Sequence, residues 1–192
     1  MSAHSSSDAE PARAITNHTS GRIRVALADD HEVVRNGLKL VLEAEPDVEI
    51  VGEASDVEAA VRMALGHKPD ILVLDLNMPG GSSLAAIPRI KEASPNTAVV
   101  ILTMQEEPAF AREALRNGAL GYVLKEAAST ELVQAIRLAL TGKTYLHPSL
   151  GARIATEPEE QGPPDDLSAR ELEVLRLVAL GRARQVDGGW LG

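Results

Sequence analysis

Several short β-rich runs in this chain are apolar on consecutive positions, not alternate ones. The runs are IRVALA (23–28), VEIVGEA (48–54), DILVLDL (70–76), AVVILTM (98–104) and LGYVL (120–124). A strand that is apolar on both faces must be covered on both, as in a parallel sheet sandwiched by helices. Amphipathic segments lie between the runs. Val34, Leu38, Val41 and Leu42 share one helical face in 32–44, and Leu132, Ile136, Ala139 and Leu140 repeat that spacing in 130–141. Segments 56–66, 83–93 and 108–117 fit helices less cleanly, and Pro88 predicts a bend in one of them. Five strands alternating with five helices predict a doubly wound α/β domain over residues 22–141.

The flanks have another texture. Residues 1–21 are rich in Ser, Ala, Thr and His without apolar period and read as a disordered tail. Residues 142–166 carry Pro148, Pro158, Pro163 and Pro164 with an acidic cluster and read as a linker. A new helical signal starts at Leu167. Ser168 and Glu171 form a capping-box pattern, Leu167 and Leu172 a hydrophobic staple, and Gly181 a helix stop.

In open α/β sheets, ligands sit at the carboxyl ends of the strands. Here those ends carry Asp29 and Asp30, Asp75, Thr103 and, just after the last run, Lys125. Clustered carboxylates repel one another unless a cation neutralises them, and oxygen ligands suit magnesium. A carboxylate can also accept a phosphoryl group as a nucleophile, with a metal, an ammonium and a hydroxyl stabilising the transferring charge. Taken singly, each residue has an ordinary reading. Asp29 and Asp30 could cap the next helix, Thr103 could end a strand, Lys125 could be a solvated charge and Tyr122 a core ring. His31 reads as a helix-start residue, and His4 and His18 have no metal spacing. Asp75 is harder to explain, since a buried acid is costly unless paired.

The motifs ADDHEVVRNGL (28–38), DILVLDLNMPG (70–80), VVILTM (99–104) and NGALGYVLK (117–125) resemble the receiver domain of two-component response regulators in the NarL/FixJ group. The intervals of 45 residues from Asp30 to Asp75, 28 on to Thr103 and 22 on to Lys125 are similar to those of receivers. The resemblance implies a flavodoxin-like five-stranded parallel sheet of order 2-1-3-4-5. It implies Asp75 as phosphoacceptor from a sensor histidine kinase. It implies Asp29, Asp30, Asp75 and the Asn77 backbone carbonyl as Mg2+ ligands and Lys125 as partner of the phosphoryl group. Thr103 and Tyr122 would form the conformational switch. Glu126 stands where many receivers place a proline, which this subgroup often lacks.

DLSARELEVLRLVALG (166–181) is similar to the first helix of a LuxR-type helix-turn-helix domain, but RARQVDGG (182–189) does not match the second helix of that family. The expectation is a truncated DNA-binding domain over 167–192, with the family's transcriptional output lost or impaired. The charge supports this, since residues 23–141 carry 11 basic against 18 acidic side chains and repel phosphate backbones.

Two further classes compete. A single-domain receiver acting as adaptor or phosphate sink would never touch DNA. An aspartate-nucleophile phosphohydrolase needs a second acid two residues after the nucleophile, where Asn77 stands. An enzyme with turnover is therefore not expected. With no cysteine, thiolate zinc sites and cysteine nucleophiles are excluded. No apolar run nears the ~20 residues that span a bilayer, and the first 14 residues lack the apolar core of a secretory signal. A soluble cytoplasmic protein is the expectation, with homodimerisation on phosphorylation left open.

Overall fold

The computed structural model describes residues 21–156. Strand β1 (Ile23–Ala28) leads to helix α1 (Glu32–Glu43), followed by β2 (Val48–Ala54) and α2 (Val57–His67). Then come β3 (Ile71–Asp75), α3 (Ser83–Ala93), β4 (Ala98–Thr103) and α4 (Pro108–Arg116). β5 (Gly121–Leu124), a short 3-10 turn (Lys125–Ala127), α5 (Ala128–Leu140), β6 (Tyr145–Leu146) and α6 (Pro148–Thr156) complete the described chain. The strands form one parallel sheet of order 2-1-3-4-5-6.

The consecutive apolar positions of β3 explain its place at the centre. All five of its residues are buried. Leu72 and Leu74 enter the core layer shared with α2, α3 and α4, while Ile71 and Val73 enter the layer shared with α1 and α5. Each such fully buried aliphatic side chain contributes about 1.5–3 kcal/mol. The α1 stripe is narrower than its periodicity suggests, because only Leu38 and Leu42 are buried while Val34 and Val41 lie half-buried at the edge of the layer. At Gly121 the sheet admits no side chain, since a Cβ there would meet Val100 Cγ1 at 2.9 Å.

Pro88 leaves α3 as one continuous element. The carbonyl of Leu84, which a proline four residues on cannot satisfy, accepts instead from Asn117 Nδ2 at 3.2 Å. That bond ties α3 to the end of α4.

The sheet has six strands where five were expected, and two elements lie where the sequence reads as a linker. Gly142, at φ 73°, turns the chain after α5. Tyr145 is then buried beside Gly121, and Pro148 opens α6 at a first-turn position that needs no backbone N–H. Leu150 anchors α6 in the core at 2% exposure. Arg112 donates to the Ile154 carbonyl at 3.0 Å, and Arg153 donates to the Glu106 carbonyl at 2.9 Å. The tail over 1–20, the rest of the linker and the 167–192 segment lie outside the described residues. Among the described residues no helix is long and apolar enough to cross a membrane.

Candidate functional site

The carboxyl ends of β1, β3, β4 and β5 deliver their polar residues to one edge of the sheet. Asp29 and Asp30 follow β1, Asp75 ends β3, Thr103 ends β4, and Lys125 follows β5. Parallel strands in register put these ends side by side. Asp75 pairs with Leu102 and Thr103 with Leu124 across the ladder.

Lys125 joins the cluster. Its Nζ lies 2.7 Å from Asp29 Oδ2 and 2.8 Å from Asp75 Oδ2. Both carboxylates are 2% exposed while Lys125 is 14% exposed, so two buried acids share one ammonium, which cancels only one of their two charges. Asp75 Oδ1 also accepts from the Asn77 backbone N–H at 3.3 Å. Burial pushes the Asp75 pKa above its ordinary value; the Lys125 contact opposes this, and Asp29 adds to it by repulsion. Burial works against the Lys125 ammonium, yet its bonds to Asp29 and Asp75 outweigh that and raise its pKa. The three groups form a charged, partly desolvated contact with a net deficit of positive charge.

Asp30 stands at the mouth, 31% exposed, and His31 shares that position. The imidazole Nδ1 lies 2.7 Å from Asp30 Oδ1 and 3.4 Å from Asp29 Oδ1. His31 occupies the N-cap of α1, as a helix-start residue should, but its side chain makes no capping bond. It turns into the acid cluster instead. Asp29, Asp30, His31 and Asp75 each offer one ligand atom, all within 4.8 Å of one another. The oxygen donors of the three aspartates are of the hard type that Mg2+ takes, so the residues present fit that ion.

Thr103 is fully buried, and its Oγ1 accepts from the Gln105 N–H at 3.1 Å. The Tyr122 hydroxyl donates to the Gln105 carbonyl at 2.9 Å. Burial and the charge of Glu107 hold the phenol far above its usual pKa, so it stays a donor. Thr103 and Tyr122 thus grip one residue, Gln105, from two sides. No sequence signal marked Gln105, because it acts through its backbone.

A family model for the response regulator receiver domain matches residues 25–137. The oxygen regulatory protein NreC of Staphylococcus haemolyticus is 39% identical over 169 residues, covering 83% of this chain and 78% of that protein. A LuxR-family two-component response regulator from Aurantimonas sp. SI85-9A1 superposes with TM-score 0.68 at 37% identity, covering 72% of this chain and 99% of that one. The Salmonella typhimurium RcsB response regulator, in a structure concerned with conformational dynamism for DNA interaction, gives TM-score 0.66 at 31% identity. That match covers 88% of this chain and 85% of RcsB.

Proposed function

Because the chain belongs to the response regulator receiver family, with NreC and LuxR-type regulators among its relatives, we propose that it is a phosphorelay switch in which Asp75 accepts a phosphoryl group from a sensor histidine kinase. The observation that carries this reading is the Lys125 ammonium held between Asp29 and Asp75 at 2.7 and 2.8 Å. An Asp75 carboxylate oxygen attacks phosphorus. An acyl phosphate O–P bond forms as the P–N bond of the donor phosphohistidine breaks, and the electron pair stays on the imidazole. Lys125 already contacts the accepting carboxylate and is positioned to follow the negative charge onto the phosphoryl oxygens. Asp29, Asp30, Asp75 and the Asn77 carbonyl would hold Mg2+. When bound, the ion neutralises charge on the transferring oxygens.

Asn77, two residues after Asp75, cannot serve as the general acid that a phosphohydrolase needs there, so the phosphoryl group is stored and not turned over rapidly. Storage makes the event a signal. Thr103 would donate its hydroxyl to the phosphoryl group and carry the change to Gln105 and Tyr122. The downstream output suggested by the relatives is DNA-linked regulation. Residues 166–181 are similar to a LuxR-type first helix while 182–189 do not match that family's second helix, so the proposed function rests on the receiver residues alone.

Incubation with acetyl phosphate, followed by intact mass measurement with and without EDTA, tests the reading. One phosphoryl group should add in Mg2+, and EDTA or Asp75→Asn should prevent it. Unchanged phosphorylation in Asp75→Asn would remove Asp75 from its role.

A further inference from the structure

We propose that Arg35 is a positioning residue for the phosphorylation site, its guanidinium clamping the peptide between Asp29 and Asp30 so that both carboxylates stay within reach of one cation. It acts through the backbone and not by contact with the reacting atoms. The proposal rests on the reading of Asp29, Asp30 and Asp75 as a cation site.

Arg35 stands one turn into α1, with its side chain 15% exposed. Its Nη1 donates to the Asp29 backbone carbonyl at 2.6 Å, and its Nε donates to Glu53 Oε2 at 3.1 Å. Glu53 comes from β2 and accepts a second bond, from Lys39 Nζ, at 2.8 Å. Arg35 and Lys39 are four residues apart on α1 and so share the face turned to Glu53. The Lys39 bond, and after it the Arg35 bond, hold the Glu53 carboxyl below its ordinary pKa against the opposing effect of burial, so Glu53 is a charged anchor at neutral pH. The planar fork of Arg35 links that anchor on β2 to the carboxyl end of β1.

The clamp matters most for Asp30. Asp29 is held at several points besides Arg35. Its N–H donates to the Ala54 carbonyl at 3.1 Å, its Oδ1 accepts from the His31 N–H at 2.8 Å, and its Oδ2 meets Lys125 at 2.7 Å. The Asp30 carboxylate is 31% exposed and meets His31 at the mouth of the site. The Asp29 carbonyl and the Asp30 N–H belong to one planar unit, so a bond to that carbonyl fixes the plane from which Asp30 projects. The ligand atoms of Asp29, Asp30 and Asp75 lie within 4.8 Å of one another, a spacing that a rotated peptide would lose.

Electrostatics alone makes the opposite prediction. Arg35 is a positive charge beside a site for a cation, so its removal should strengthen cation binding if charge were all it supplied. Lys39 provides the control, since it carries the same charge and shares Glu53 while its bond goes to that carboxylate and not to Asp29.

The test uses the full chain, with Mg2+ titrations followed by amide chemical shifts and no phosphodonor present. Arg35→Met should bind Mg2+ roughly tenfold more weakly than the wild type. Lys39→Met should stay within about twofold of it or bind more tightly. Arg35→Lys, whose ammonium can still donate to the Asp29 carbonyl, should recover part of the loss. The Mg2+ concentration that half-saturates phosphorylation by acetyl phosphate should rise with the dissociation constant. Affinity in Arg35→Met at or above the wild-type value overturns the assignment. So does an equal loss in Arg35→Met and Lys39→Met, which would trace the effect to Glu53 and the packing of α1. The underlying reading fails differently. If Asp30→Asn and Asp75→Asn leave Mg2+ affinity unchanged, there is no cation site at these aspartates; if they lower it and Arg35→Met does not, the role of Arg35 alone is lost.

Discussion

Asp75 is held at a cost to folding. Folding raises its pKa through burial, so between the ordinary carboxylate value of 3.8 and the raised one the folded chain binds more protons than the unfolded chain. Stability therefore falls as pH rises through that window, which is the penalty of ionising a buried acid. Asp75→Asn removes it, while Lys125 keeps its contact with Asp29 at 2.7 Å. The variant should melt a few degrees higher at pH 7 in EDTA, and the gain should shrink as the pH drops below the ordinary carboxylate range. An equal or lower melting temperature at pH 7 would show that the Lys125 contact, and not burial, dominates at Asp75. Thr103 is a different case. Thr103→Ala loses one accepted hydrogen bond, worth about 1 kcal/mol, and should still accept phosphate. Its amide shifts around Tyr122 and Gln105 should move much less on adding beryllofluoride than those of the wild type. Movement of the same size would take the switch role away from Thr103. Taken singly these residues have ordinary readings; what the sequence carries is the set of polar strand ends at receiver-like intervals, and the structure brings Asp29, Asp75 and Lys125 of that set together. The orientation of His31 was not readable, since a histidine that caps its helix and one turned onto Asp30 have the same neighbours in sequence.

At the scale of elements, legibility tracked length and burial. The strands at the centre of the sheet declare themselves through uninterrupted apolar runs, as in Ile71–Asp75. β6 could not do so, because two residues carry no period and its pairing with β5 is decided by tertiary contact. α6 hides among prolines and has one fully anchored side chain, Leu150. Its attachment to α4 depends on that leucine and on the bonds of Arg112 and Arg153 to backbone carbonyls. Leu150→Ala should thus cost about 2–3 kcal/mol locally. Hydrogen exchange is the measurement. Amides of residues 149–156 should exchange faster while those of β3 keep their protection, because a marginal helix detaches before the sheet opens. Equal acceleration in β3 would show that α6 is integral to the global fold. The Glu106 carbonyl that α6 grips lies one residue from Gln105, so the same experiment also reports on the loop between β4 and α4.

The molecule is acidic over its receiver body, with Lys125 placed between two of the acids at its site. Residues 23–141 carry 18 acidic and 11 basic side chains, a distribution that repels DNA and leaves recognition to other segments. In 182–189, Arg182 and Arg184 are offset by Asp187 and followed by paired glycines that disfavour a helix. Selection from random duplexes at ~150 mM salt should therefore enrich no consensus with this 192-residue polypeptide, phosphorylated or not; enrichment of one would restore the DNA-binding reading. The central claim is that Asp75 forms an acyl phosphate, and chemical trapping tests it most directly. Borohydride reduces an aspartyl phosphate to homoserine and leaves phosphoserine, phosphothreonine and free carboxylates intact. After treatment with acetyl phosphate and Mg2+, the peptide spanning β3 should contain homoserine at position 75 and no other aspartate should be converted. Homoserine at Asp29 or Asp30, or none anywhere in a chain that has gained phosphate, would contradict the account.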